Sequence, residues 1–197
     1  MTKKRMFSVS LITTGGVSEE MLPRVARVTR GADLTIVKPS MCSDEQREKD
    51  LDLLRKIISY KHLSVLEFSN ILYQIECPIY IARQLMRYRC SSYLERSLRV
   101  CGPMEGDAVL EDYKNAIESG TKREDARALL PLSRRTRFLW LLNLRELLHI
   151  AEERLTPAAQ YMTQCIVGAM VDIAAQEFPR VIGFWKEQRE GATCPTK

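Results

Sequence analysis

Histidine is scarce in this 197-residue chain: His62 and His149 are the only two. That is too few for a histidine-built metal centre. The six cysteines (Cys42, Cys77, Cys90, Cys101, Cys165 and Cys194) form no CxxC pair and no ligand-spaced cluster with those histidines. Scattered reduced thiols are expected, and neither disulfides nor a metal site. Charges break every apolar run well short of the ~20 residues a membrane helix needs. The apolar stretch behind the basic start Met1-Thr2-Lys3-Lys4-Arg5 ends at Thr13-Thr14-Gly15-Gly16, with no small-residue cleavage site after it. No signal peptide is expected, and the cytoplasm is the expected compartment. Glycine-rich phosphate loops are missing as well, since Gly15-Gly16 stands alone. Internal repeats and low-complexity tracts are absent.

What is present fits an ordinary folded chain. Hydrophobic residues make up 45% and charged residues 28%, which excludes a disordered composition. Thirty Lys and Arg against 25 Asp and Glu give a net charge of +5, mild enough to admit an anionic ligand without requiring a nucleic acid. Residues 1–197 are expected to form a single domain.

Alternation over Phe7–Ile12 predicts a first strand, and Ser18-Glu19-Glu20 a helix ending near Gly31. Ser43 should cap a helix with the apolar stripe Leu51, Leu53, Leu54, Ile57 and Ile58. A polar turn, a strand over Phe68–Glu76 and a helix from Pro78 to about Tyr88 follow. Ser97–Val100 reads as a short strand. The remainder reads as helices over Ala108–Ser119, Lys122–Leu130, Thr136–Arg154 and Pro157–Phe178, with a short tail helix. The fold class expected is α/β (α+β): a small mixed or antiparallel sheet flanked by helices, with a helical C-terminal half.

The most unusual stretch runs from Arg83 to Arg99. It carries Arg83, Arg87, Arg89, Arg96 and Arg99, no lysine, and several hydroxyls. Arginine forks match phosphate and carboxylate geometry. Arg83 and Arg87 are expected on one helix face, and Ser97 and Arg99 on one strand face, so that Arg87, Ser97 and Arg99 could surround one anion. The plain alternative is a solvated face paired with Glu95. A second polar cluster comprises Arg127, Asn143, Arg145, His149 and Arg154. On one helix, Arg145 and His149 would share a face and Asn143 and Arg154 another, roughly 200° away. A helix serving two pockets at a subunit interface would explain that, as would one wet face. His149 alone is more often a satisfied histidine than a catalytic one.

Arg87-Tyr88-Arg89, seven residues, then Ser97 resembles the Arg-His-Arg-x7-Ser signature of the flavin-dependent thymidylate synthases. The resemblance continues through His62-x-Ser64-x-Leu66-Glu67 and through Pro78 to Arg83-Gln84. It goes on in Arg127 with Leu130-Pro131 and Thr136, and in Asn143-x-Arg145-x-Leu147, His149, Arg154 and Ala159-Gln160, all in family order.

The resemblance implies a homotetramer with active sites where subunits meet. It implies methylation of uracil C5 on dUMP, with methylenetetrahydrofolate as carbon donor and FAD, reduced by NADPH, as hydride source. Carried over, Gln84, Arg87, Glu95, Ser97, Arg99, Arg127 and Arg154 would hold the nucleotide. Arg154 would lie against the pyrimidine, where a cation near the carbonyls favours an electron-rich C5. His62, Ser64, Glu67, Arg87, Arg89, Glu95, Asn143, Arg145 and His149 would serve the FAD site. Arg154 and Ser97 are the candidate catalytic groups. Ser97 has no sequence-adjacent base and fits a binding role better than a nucleophilic one.

The chain departs from the family pattern at Tyr88 (histidine in the signature), Val65 (usually proline), Phe68 (often histidine), Leu85-Met86 (commonly aromatic) and Tyr161-Met162. dUMP is the default substrate. UMP is the runner-up, and hydroxymethyl transfer a further variant. Two readings compete with an active synthase: an inactive structural subunit, and an arginine-rich nucleic-acid-binding protein. The latter leaves the Asn143–Arg154 pattern unexplained. No membrane or nucleic-acid partner is expected.

Overall fold

The computed structural model describes residues 6–31, 42–105, 107 and 110–192. Four strands form one antiparallel sheet in the order β1-β2-β4-β3: β1 Ser8–Gly16, β2 Ser69–Pro78, β3 Ser91–Glu95 and β4 Arg135–Asn143. The helices are α1 Leu22–Arg27, α2 Asp44–Ser59, α3 Ile79–Leu85, α4 Glu111–Glu118, α5 Arg123–Ala126, α6 Leu144–Arg154, α7 Tyr161–Glu177 and α8 Pro179–Ala192.

The two central strands show why the sheet forms. Along β2, Ser69, Ile71, Tyr73, Ile75 and Cys77 alternate inward. Along β4, Thr136, Phe138, Trp140 and Leu142 do the same. Burying each large apolar side chain contributes about 1.5–3 kcal/mol. Helices α6 and α7 cover this face with Leu144, Leu147, Ile150, Ile166 and Met170, and α8 packs on α7 and α2, adding Val181 and Trp185 to the same core. The Tyr73 hydroxyl crosses the core to donate to the Met170 carbonyl at 2.8 Å. A smaller apolar cluster of Tyr113, Ala126 and Leu130 holds α4 to α5.

Several expectations need correction. Thr136–Arg154 is not one helix, because Arg135–Asn143 is the strand β4, paired on both sides. Asn143 caps α6 from outside, its side-chain oxygen accepting from the Glu146 N–H at 2.9 Å. Asn143 and Arg154 therefore do not share a helix face. Helix α3 stops at Leu85, so Arg87 lies in the turn beyond it and shares no helix face with Arg83. The strand sits at Ser91–Glu95 and not at Ser97–Val100, where the chain turns: the Ser97 carbonyl accepts from the Cys101 N–H at 2.9 Å. β1 runs past Ile12 to Gly16, which has a left-handed φ of 80° and passes so close to Phe68 that a Cβ would collide with its carbonyl oxygen. The helix expected after Ser18-Glu19-Glu20 is present and ends at Gly31, but it starts only at Leu22, so Glu19 does not open it. Its carboxylate accepts from the Arg180 and Val181 N–H groups at the start of α8. The expected helix start at Ala108 falls outside the described residues, and α4 begins at Glu111.

The Ser43 cap is present, with its hydroxyl accepting from the Gln46 N–H at 3.2 Å. Pro78 precedes α3 as expected. The five described cysteines are free thiols, and Cys194 lies outside the described residues.

Candidate functional site

The turn after α3 carries Arg87-Tyr88-Arg89 and is fastened to β3. The Tyr93 hydroxyl lies 2.9 Å from both the Leu85 and Tyr88 carbonyls, and the Ser91 hydroxyl donates to the Tyr88 carbonyl at 2.7 Å. Apolar packing pins Tyr93 in turn, its ring 5.2 Å from Trp140. Three consecutive signature residues thus sit on a loop held by its own neighbours.

Tyr88 points inward. Its ring stacks on Trp140 at 6.5 Å and meets His149 edge-on at 6.0 Å. Its hydroxyl accepts from Arg154 Nε at 2.7 Å and donates to Glu153 Oε2 at 2.6 Å. The Arg154 guanidinium also lies over the Tyr88 ring, 5.3 Å from its centre. The other Glu153 oxygen is 3.5 Å from His149 Nε2. Burial and the Glu153 bond outweigh Arg154 and push the Tyr88 phenol up to about 12, so it stays protonated. One neutral hydroxyl joins the candidate pyrimidine cation, Arg154, to the carboxylate beside the candidate flavin residue, His149.

Helix α6 separates its residues by face. Leu147, Leu148, Ile150 and Ala151 are buried, while Arg145, His149 and Glu152 are exposed and line a cleft of about 490 Å³ with Glu67, Cys90 and Asn143. That volume is typical of ligand sites. Arg145 pairs with Glu67 across the cleft. The structure therefore brings together Glu67, Asn143, Arg145 and His149. His62 and Ser64 lie apart from them, on a second cleft of about 720 Å³ with Tyr60, Val65 and Phe68. Arg89 is exposed beside neither.

Of the nucleotide candidates, Glu95, Ser97, Arg99 and Arg127 lie between the end of β3 and α5, while Gln84 sits on α3 and Arg154 at the end of α6. The Ser97 hydroxyl accepts from the Arg99 N–H at 3.2 Å. Arg99 pairs with Glu124 at 2.9 Å, and Arg127 Nε donates to the Glu124 carbonyl at 2.9 Å. Glu95 accepts from the Thr136 hydroxyl at 2.7 Å and so is not the partner of the arginine run. Gln84 bonds Gln160 at 2.6 Å and accepts from Thr163 at 3.3 Å. Arg83, Arg87 and Arg89 make no hydrogen bond or ion pair with the described residues, although most of the described arginines are paired.

Two residues that the sequence did not single out stand out in the structure. Glu153 bridges Tyr88 and His149, and no local pattern marks it. Arg134 has a buried Nε with no hydrogen-bond partner. Its signal was compositional: it belongs to a second arginine-rich run, Arg134-Arg135-Thr136-Arg137.

Among the described residues no His/Cys/Asp/Glu group is arranged to hold a metal ion. No helix of theirs is long and apolar enough to cross a membrane.

A family model described as thymidylate synthase complementing protein matches residues 10–180. A flavin-dependent thymidylate synthase of Thermotoga neapolitana is 28% identical over 180 residues, covering 76% of this chain and 83% of that protein. One of Thermococcus onnurineus is 29% identical over 167 residues, covering 70% and 68%. Among solved structures, the UMP/dUMP methylase PolB of Streptomyces cacaoi bound with 5-Br dUMP superposes with a TM-score of 0.77. It is 20% identical and covers 92% of this chain and 95% of its own. The same methylase bound with 5-Br UMP gives 0.74. The likeness to both is one of fold.

Proposed function

The chain belongs to the flavin-dependent thymidylate synthase family, and from that premise we propose that it transfers a one-carbon unit to C5 of a uridine monophosphate, dUMP by default, leaving a methyl group. Residues 1–197 act as one unit in this reading. The observation that carries it is Tyr88 tying Arg154 to the α6 cleft, with unpaired arginine forks on the same turn. Arg154 suits the pyrimidine carbonyls, where its charge would stabilise the enolate-like state that makes C5 nucleophilic. Arg87, Arg99 and Arg127 suit the phosphate, and Ser97, Glu95 and Gln84 the sugar and base edges. Catalysis here is mostly positioning and electrostatics.

The cleft fits FAD, the family's cofactor. Arg145 offers a cation to its diphosphate, and Asn143 and His149 offer hydrogen-bonding polar edges. The Arg145–Glu67 pair is half-exposed, its side chains 53% and 47% accessible, so an incoming phosphate can exchange it at little cost. When bound, reduced FAD supplies the hydride that completes the methyl group. NADPH as reductant and methylenetetrahydrofolate as carbon donor follow from the same family reading.

UMP is the second reading. It is supported by the fold neighbour PolB, described as a UMP/dUMP methylase and seen with 5-Br UMP. An absorbance spectrum of the purified protein, followed by parallel titrations with dUMP and UMP, tests the proposal. A flavin spectrum perturbed by one nucleotide is expected and ranks the two. A protein that takes up no FAD and binds neither nucleotide overturns the proposal.

A further inference from the structure

Arg134 is the odd cation of the molecule. Its backbone is fixed at both ends: the N–H donates to the Pro131 carbonyl at 3.1 Å, and the carbonyl accepts from the Ile79 N–H at 3.0 Å. Its guanidinium makes no hydrogen bond or ion pair with the described residues, and its Nε is fully withdrawn from solvent. A buried donor without a partner carries a desolvation cost that an apolar residue would avoid. The surroundings do not relieve it. Burial lowers its pKa, and Arg83 and Arg127 lower it further; Glu95 and Asp107 oppose them. Both carboxylates are already engaged, Glu95 by the Thr136 hydroxyl at 2.7 Å and Asp107 by Arg135 at 2.9 Å. Arg83 has no partner, and Arg127 commits only its Nε. The turn that carries Arg134 starts at Arg127, whose carbonyl accepts from the Leu130 N–H at 3.2 Å, so two guanidinium groups with unused donors leave one short loop.

We propose that Arg134 is a further ligand of the substrate's phosphate group, joining Arg127 of the arginines assigned to that phosphate above. The buried Nε and a terminal nitrogen form a fork suited to two phosphate oxygens. Its anchored backbone and buried Nε leave the Arg134 side chain less freedom to lose on binding than a solvent-exposed arginine has. The assignment of the phosphate to a uridylate rests on the reading above. The anion site itself does not.

The test uses the full chain loaded with FAD. dUMP and deoxyuridine are titrated calorimetrically into the unsubstituted protein and into Arg134→Gln and Arg134→Lys. Thermal melting is followed with and without inorganic phosphate. Arg134→Gln is expected to weaken dUMP about 10- to 100-fold and to leave deoxyuridine affinity and flavin content unchanged. Arg134→Lys should recover part of the loss. Phosphate should raise the melting temperature of the unsubstituted protein but not of Arg134→Gln. Should Arg134→Gln not fold, Arg134→Lys carries the test: it keeps the charge without the fork, and a selective loss for dUMP is again expected. dUMP affinity within threefold of the original, or equal losses for dUMP and deoxyuridine, overturns the assignment. If the unsubstituted protein binds no uridylate yet shows Arg134-dependent stabilisation by phosphate, the uridylate reading falls and the anion site stands. Absence of both effects overturns both.

Discussion

Tyr88 is where this chain departs most visibly from its family signature, and it is also the best-connected polar residue of the site. A histidine there could carry positive charge near neutral pH. Tyr88, pushed up to about 12, does not ionise, so it offers one donor and one acceptor and no charge. The donor goes to Glu153 and the acceptor faces Arg154. Replacing Tyr88 with Phe keeps the stack on Trp140 and removes both bonds. The expected stability cost is modest, about 1 kcal/mol, because Glu153 is exposed and water can replace the hydroxyl. The catalytic cost should be larger. Arg154 would lose its directional restraint, and turnover is expected to fall about 10- to 100-fold with flavin content unchanged. Steady-state kinetics beside a flavin spectrum check this. A loss of bound flavin equal to the loss of turnover would place Tyr88 in the cofactor site instead.

At the scale of elements, the short helix α1 is tied to α2 by a buried carboxylate. Asp50 accepts from Arg24 at 3.3 Å, from Arg27 at 2.5 Å and from Gln46 at 2.8 Å. Burial alone would raise its pKa. The bonds from Arg27, Gln46 and Arg24 overcome that and hold it below the usual carboxylate range. A depressed folded-state value means that the stability is fully present above the unfolded pKa, about 3.9, and is lost as pH falls through the folded value. Asp50→Asn should therefore lower stability at neutral pH by about 3 kcal/mol. This is the low end for a broken buried pair, since 30% of the Arg27 side chain remains in solvent. The difference from the parent should shrink as pH drops below about 4, which thermal melts at several pH values measure. A difference that stays constant with pH would mean Asp50 acts through packing rather than charge.

Some elements were legible because they carry local chemistry. The Ser43 cap and the stripe of α2, and Pro78 before α3, are patterns within a few residues. β4 was hidden for a physical reason. Leu139-Trp140-Leu141-Leu142 is apolar without interruption, so the period of two that would mark a strand is masked. Only pairing with β2 and β3 decides the matter. β3, five residues at a sheet edge, is too short to show a period. The site divides the same way. Residue identities followed from a linear signature, but the Tyr88–Glu153 and Tyr88–Arg154 bonds span 65 and 66 positions and leave no local trace.

For the whole molecule, the face of the sheet that the described residues leave uncovered matters most. The helices cover the side lined by Tyr73, Phe138 and Trp140. On the other side Leu141 lies opposite Leu72 on β2 and Ser92 on β3, and Leu139 opposite Gln74 and Leu94. Leu94 is 70% and Leu141 41% exposed. A one-sided antiparallel sheet normally turns polar residues to water; neighbouring leucines there form an exposed apolar patch of the kind that interaction surfaces carry. A second copy of the chain is the occupant the family reading supplies, and a homotetramer with sites shared between subunits is the assembly proposed. That assembly would also explain why Glu95, Ser97, Arg99 and Arg127 lie open. Light scattering should then return a multiple of 22.7 kDa. Leu141→Lys, which puts a charge in the middle of the leucine patch without touching the core, should lower that mass and weaken dUMP binding at the same time, because a shared site is lost with its interface. A parent that runs as a 22.7 kDa monomer while binding flavin and dUMP would sink the shared-site assembly. The four leucines would then be explained only as an exposed patch on a self-sufficient subunit.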